Sequence, residues 1–131
     1  MRVDERLLKY VSYWTTSSED SDTIPSTDRQ FNLAKELEKE LLDLGLQKVT
    51  LTDHCYIYGL IPATPGYEDK KAVGFISHMD TSPAVSGENV NPRVVAYEGG
   101  DIILNAEKNI VLTEKENPEL AHFVGKHPPG K

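Results

Sequence analysis

Apolar residues recur at helical spacing at the start of the chain: Val3, Leu7, Val11 and Trp14, with Leu8 beside them. Residues three and four apart share a helix face, so the spacing predicts a short amphipathic first helix. Thr15 to Ser26 is polar, closes on Ile24-Pro25, and reads as a loop. Thr27 and Gln30 then stand at the spacing of a capping box, in which each side chain satisfies the other's backbone donor. Phe31, Ala34, Leu37, Leu41 and Leu44 follow on one face, and Gly45 supplies the stop. The opposite face, with Lys35, Glu36, Glu38, Lys39 and Glu40, reads as solvated charge.

The period then changes to two. Val49 and Leu51 alternate with polar neighbours, and so do Tyr56, Tyr58 and Leu60, up to Pro62. Ala63-Thr64-Pro65-Gly66 is a turn. Ala72-Val73-Gly74-Phe75-Ile76 is nearly unbroken apolar, the pattern of a central strand buried on both faces. The order helix, helix, strand, strand, buried strand predicts an α/β domain with a mixed sheet flanked by helices. Beyond Asp80 the chain is loop-like. Val94-Val95, Ile102-Ile103-Leu104 and Ile110-Val111-Leu112 are candidate short strands, and Pro118 after Asn117 opens a helical turn or two. The tail from Lys126 to Lys131 carries no apolar pattern, and no internal repeat is visible. A parallel sheet needs more strands and crossovers than this pattern holds, so the chain reads as part of a larger domain.

Composition narrows the picture. At 131 residues with 38% hydrophobic and 27% charged positions, the chain is globular rather than disordered. The net charge of −7 and the lack of a Lys/Arg cluster argue against nucleic acid. Tyr56, Tyr58 and Tyr67 do not interleave with basic residues, so base stacking is not supported either. No apolar run is long enough to span a membrane. The first residues, Met1 to Arg6, contain no apolar stretch of signal-peptide type. Cys55 is the only cysteine, which excludes an intrachain disulfide and fits a reducing, cytoplasmic setting.

Candidate chemistry lies in Ser77-His78-Met79-Asp80-Thr81, directly after the apolar run. Ligands in open α/β sheets gather at the carboxyl ends of strands. Residues two apart in extended chain point to the same side, so His78 and Asp80 are placed to face one site. Neutral imidazole is a good zinc ligand, and a ligating His usually donates its other N–H to a carboxylate or carbonyl. By itself His-x-Asp is short enough to recur by chance. A strand-end His held by a backbone group, with Asp80 capping the next turn, accounts for it more readily.

Ser77-His78-Met79-Asp80-Thr81-Ser82-Pro83 resembles the first metal-site motif of the M20 metallopeptidases. Ser86-Gly87-Glu88-Asn89-Val90-Asn91-Pro92, Tyr97-Glu98-Gly99-Gly100-Asp101-Ile102 and the helix start at Pro25-Ser26-Thr27 narrow the resemblance to the branch that cleaves tripeptides. It runs from near the first helix to about Asp101. It implies a zinc-exopeptidase-like catalytic domain, of which residues 1–131 would be an incomplete N-terminal portion, without the inserted dimerisation domain and the C-terminal part. It implies two zinc ions per active site and release of the N-terminal residue of a tripeptide in the cytoplasm. His78 matches the His ligand of one zinc, and Asp80 the acidic residue that orients it. Zinc lowers the pKa of a bound water and polarises the scissile carbonyl, while a Glu acts as general base. The family's bridging Asp, general-base Glu, further acidic ligand and late His all lie downstream of these motifs. This chain alone is therefore expected to be inactive and to bind zinc weakly or not at all. Ala84 departs from the acidic residue expected after Pro83, which bears on substrate contacts.

Two alternatives stand beside this reading: a related deacylase or carboxypeptidase of the same family, and a short non-catalytic binding protein that retains the fold. An unpaired sheet edge and uncovered apolar surface predict self-association in either case, as a homo-oligomer or by strand exchange. The remaining candidates read as structural or exposed. These are His54 beside Cys55, His122 and His127 in the tail, and Asp101 after Gly99-Gly100, which lacks the strand and helix context of a phosphate loop.

Overall fold

The computed structural model describes residues 1–126. His127, read above as exposed, lies outside them. The fold is α/β, with α1 at Val3–Tyr10, α2 at Gln30–Asp43, and four short strands: β1 at Gln47–Leu51, β2 at Ile57–Leu60, β3 at Ile102–Asn105 and β4 at Ile110–Leu112. A 3-10 helix covers Pro118–Phe123, with Pro118 in its first turn. The chain divides into two units, Met1–Pro92 and Arg93–Lys131.

In the first unit α2 packs on the β1–β2 hairpin. Leu33 and Ala34 are buried at its centre. Full burial of a leucine stabilises by roughly 1.5–3 kcal/mol. Gly45 ends the helix as its position predicts: at φ 82° it lies in the left-handed region. Its N–H donates to the Leu42 carbonyl at 2.9 Å, and the Leu46 N–H to the Leu41 carbonyl at 3.0 Å. This pair of closing bonds satisfies carbonyls that the helix leaves open. The β1–β2 pairing is antiparallel, with Gln47 opposite Leu60 and Leu51 opposite Ile57. One extra residue on β1, with Lys48 at φ 53°, bulges the strand.

Four expectations need correction. First, Thr27 and Gln30 meet, but side chain to side chain. Gln30 Nε2 donates to Thr27 Oγ1 at 3.1 Å, because the Thr27 hydroxyl itself donates to the Thr16 carbonyl at 3.0 Å. Second, the charged face of α2 is only partly solvated. Glu40 is buried and accepts from the Tyr10 hydroxyl, Glu36 pairs with Lys9, and Glu38 accepts the Leu51 N–H at 3.2 Å. These carboxylates dock α1 and tie down β1. Third, α1 docks by its polar side. Lys9, Tyr10 and Arg6 face α2, while Val3 and Leu7 of the predicted apolar stripe are exposed. Trp14 has left the helix, since Ser12 Oγ donates to the Lys9 carbonyl at 2.6 Å just past its end.

The fourth concerns Ala72–Ile76, which forms no strand. The segment has no regular secondary structure, and Phe75 and Ile76 are 94% and 100% exposed. Burial on both faces is a property of a sheet and not of a segment, and neither ladder among the described residues reaches it. Both observed sheets are two-stranded and antiparallel, not one mixed sheet.

Ion pairing shapes the α1 contact. The Lys9 ammonium holds the Glu36 carboxyl below its ordinary value of 4.5, and Glu36 raises Lys9 above 10.5. A depressed carboxylate stabilises above its ordinary pKa and loses that contribution as pH falls through the folded value. A raised ammonium stabilises below its ordinary pKa and loses it as pH rises through the folded value. Helix α1 is thus expected to undock at both extremes while α2 and the hairpin persist. Backbone NMR shifts of Val3–Tyr10, followed through acid and alkaline titrations, check this.

In the second unit, β3 and β4 form an antiparallel hairpin, with Ile102 opposite Leu112. Tyr97 is buried and its hydroxyl donates to the Gly100 carbonyl at 2.7 Å. Asp101 Oδ1 accepts the Glu114 N–H at 2.9 Å across the open end of this hairpin, a structural role. Val94-Val95 does not join a strand.

Candidate metal-ligand site

His78 and Asp80 sit just after the Ala72–Ile76 segment and come together. The His78 Nδ1 lies 2.9 Å from the Asp80 carbonyl oxygen and 3.1 Å from its Oδ1. Two acceptors around one ring nitrogen place the proton on Nδ1. The lone pair then resides on Nε2, which makes no hydrogen bond among the described residues. The imidazole is 83% exposed. In the neutral ring the arrangement favours the tautomer with its proton on Nδ1 and its basic nitrogen presented outward.

Two anchors hold this short segment. Met79 lies between the pair and turns the other way, its Sδ 4.0 Å from the Cys55 Sγ. Cys55 is buried in the β1–β2 turn at φ 62°, where its N–H donates to the Thr52 carbonyl at 3.0 Å. Burial pushes its thiol pKa up, so Cys55 serves as a small apolar support and not as a thiolate. His54, its neighbour, is exposed and lies near the Tyr56 ring.

The second anchor is Thr81, which forms an isolated parallel bridge with Thr16. The Ser17 N–H donates to the Thr81 carbonyl at 3.0 Å, and the Thr81 N–H to the Thr15 carbonyl at 3.3 Å. The Thr16 and Thr81 hydroxyls meet at 3.2 Å. Gly87 closes over this bridge: a Cβ there would fall 2.6 Å from Thr16 Oγ1 and 3.2 Å from Thr81 Oγ1. Thr16 is buried and β-branched, so it has little room to yield. Gly87→Ala is expected to cost about 1–3 kcal/mol. Urea unfolding followed by fluorescence of Trp14, the only tryptophan, measures it.

Sequence reasoning identified the His78–Asp80 juxtaposition but not its anchors. Thr15, Thr16 and Ser17 fall in a polar stretch with no periodic signal, and their partner is more than sixty positions away. Cys55 was singled out without its contact to Met79. His122 is exposed in the 3-10 helix. Ala84 lies in the exposed turn after Pro83, where its N–H donates to Ser82 Oγ at 3.2 Å.

His78 supplies one nitrogen donor of suitable tautomer. Among the described residues no three His, Cys, Asp or Glu side chains gather as a metal-holding group. The donor set fits one ligand of a metal and not a complete centre. Among the same residues no helix is long and apolar enough to cross a membrane.

The molecule is thus a small α/β protein that presents a carboxylate-held imidazole on a doubly anchored segment. No family model matches the chain. Individual relatives do, and they carry the name Peptidase T. The chain is 51% identical over 125 residues to Peptidase T of Clostridium acetobutylicum, covering 95% of this chain and 30% of the relative. It is 48% identical over 128 residues to that of Caldanaerobacter subterraneus subsp. tengcongensis, covering 95% of this chain and 31% of the relative. It is 45% identical over 125 residues to that of Parabacteroides distasonis, again over 95% of this chain and 30% of the relative. The chain resembles peptidase T along nearly its whole length, and it spans about 30% of the length of these relatives.

Proposed function

We propose that this chain is the N-terminal portion of a zinc-dependent tripeptide aminopeptidase of the M20 family, and that it supplies one zinc ligand, His78. The observation that supports the reading is the His78–Asp80 contact, found in a chain about half identical to proteins named Peptidase T. Asp80 accepts a hydrogen bond from the Nδ1–H, fixes the tautomer and orients the ring. Zinc bound there supplies Lewis acidity toward the scissile carbonyl and toward water. The remaining ligands and the general-base Glu belong to the rest of the domain, as does the inserted dimerisation domain. In that domain Ala72–Ile76 takes its place as an interior strand of a mixed sheet. The complete protein is cytoplasmic and homo-oligomeric, and this chain alone is inactive.

The test uses the complete protein, stripped of metal and then reconstituted. Zinc-restored release of the N-terminal residue from tripeptides supports the proposal. Turnover of acyl-amino acids in place of tripeptides overturns it in favour of a deacylase. The 131-residue chain assayed alongside is expected to hydrolyse neither substrate.

A further inference from the structure

The Thr16 carbonyl gathers an unusual number of donors. Arg29 reaches it with two arms of its guanidinium, Nε at 2.9 Å and Nη2 at 2.7 Å. The Thr27 hydroxyl donates to the same oxygen at 3.0 Å. A carbonyl oxygen has two lone pairs, so three donors saturate it. The guanidinium also lies over the Trp14 ring, with its central carbon 3.9 Å from the ring centroid. The cation–π contact holds the guanidinium in place, and its fork holds the peptide between Thr16 and Ser17. That peptide is half of the parallel bridge to Thr81, and Thr81 directly follows Asp80.

We propose that Arg29 is a positioning residue for the His78–Asp80 pair, acting through the Thr16 carbonyl and the Thr16–Thr81 bridge. Trp14 is the cation–π partner that helps hold the guanidinium there. The inference gives a role to two side chains that the helix pattern leaves unexplained. Trp14 sits past the end of α1, and Arg29 sits at the start of α2, where a short polar cap is the usual choice. It deepens the zinc reading, on which its functional meaning rests, yet it is tested without metal.

The 131-residue chain is labelled with nitrogen-15, and imidazole and amide signals are recorded for Arg29→Ala and Arg29→Lys. In the parent, His78 is expected to show one tautomer, protonated at Nδ1, unlike exposed His54 and His122, whose tautomers average. In Arg29→Ala the His78 signals are expected to move to that average, and Thr81 amide exchange to quicken about tenfold, the loss of roughly one hydrogen bond. Signals of α2 and of the β1–β2 hairpin should stay in place. Arg29→Lys, which keeps the charge but loses the fork, should fall between the two. An unchanged His78 tautomer overturns the proposal. If Arg29→Ala does not fold, Arg29→Lys decides: movement of His78 with an intact hairpin supports the role, and a parent-like His78 overturns it. A His78 that depends on Arg29 in a complete protein that needs no zinc would leave this inference standing and sink the zinc reading alone.

Discussion

If the complete protein is the zinc tripeptidase proposed above, His78→Ala is expected to lower its kcat/KM for a tripeptide by about a thousandfold or more, with loss of bound zinc. Lewis-acid assistance is worth several kcal/mol, and each 1.4 kcal/mol is about tenfold in rate. Asp80→Asn should cost less, about 10–100-fold, the usual range for a residue that orients a metal-bound His. The geometry favours the lower end of that range, because the Asp80 main-chain carbonyl stays 2.9 Å from Nδ1 and still accepts its hydrogen bond. Zinc content by elemental analysis, set beside steady-state kinetics, separates the two variants. Full activity and full zinc in His78→Ala would remove His78 from the metal centre.

The double change Phe75→Ser and Ile76→Ser should have opposite consequences in two settings. In the 131-residue chain both side chains are almost wholly exposed, at 94% and 100%. Surface substitutions of this kind usually change stability by no more than about 0.5 kcal/mol. The parent chain, with Val73, Phe75 and Ile76 uncovered on one segment, is expected to self-associate as concentration rises. The double variant should elute as a monomer with the parent's unfolding midpoint. If the complete protein buries the segment inside a sheet, as proposed above, the same change should cost it several kcal/mol, because large-to-small core changes run to about 2–5 kcal/mol each. Size-exclusion chromatography and urea unfolding on both lengths decide it. A parent chain that stays monomeric at high concentration contradicts the first half. A complete protein indifferent to the change contradicts the second.

What the sequence disclosed follows how local each cause is. Helix α2 was legible because its apolar period, and the glycine that stops it, act within a few residues. The hairpin strands alternate and could be read for the same reason. The His78–Asp80 contact spans two residues, so extended geometry alone brought it into view. Ala72–Ile76 misled because composition encodes a preference for burial, whereas pairing requires a partner strand. The polar docking of α1 was hidden because Glu36 and Glu40 carry the same signature whether they face water or a neighbouring Lys9 and Tyr10. The Arg29–Thr16–Thr81 chain of contacts was beyond reach, since it joins three segments through main-chain oxygens that sequence does not distinguish.

The way α1 is held has a consequence for how the first unit comes apart. Its grip on α2 is made of Lys9 on Glu36, Tyr10 on Glu40, and Arg6 at 3.8 Å from Glu40, while Val3 and Leu7 face outward. Mobile ions weaken partly exposed charge pairs of this kind. Sulfate, excluded from apolar surface, strengthens the burial that joins α2 to the hairpin. Ammonium sulfate therefore acts with opposite sign on the two contacts of one helix. As it is added, α2 clings harder to its hairpin while α1 lets go, so a lyotropic salt becomes the reagent that dissects this unit.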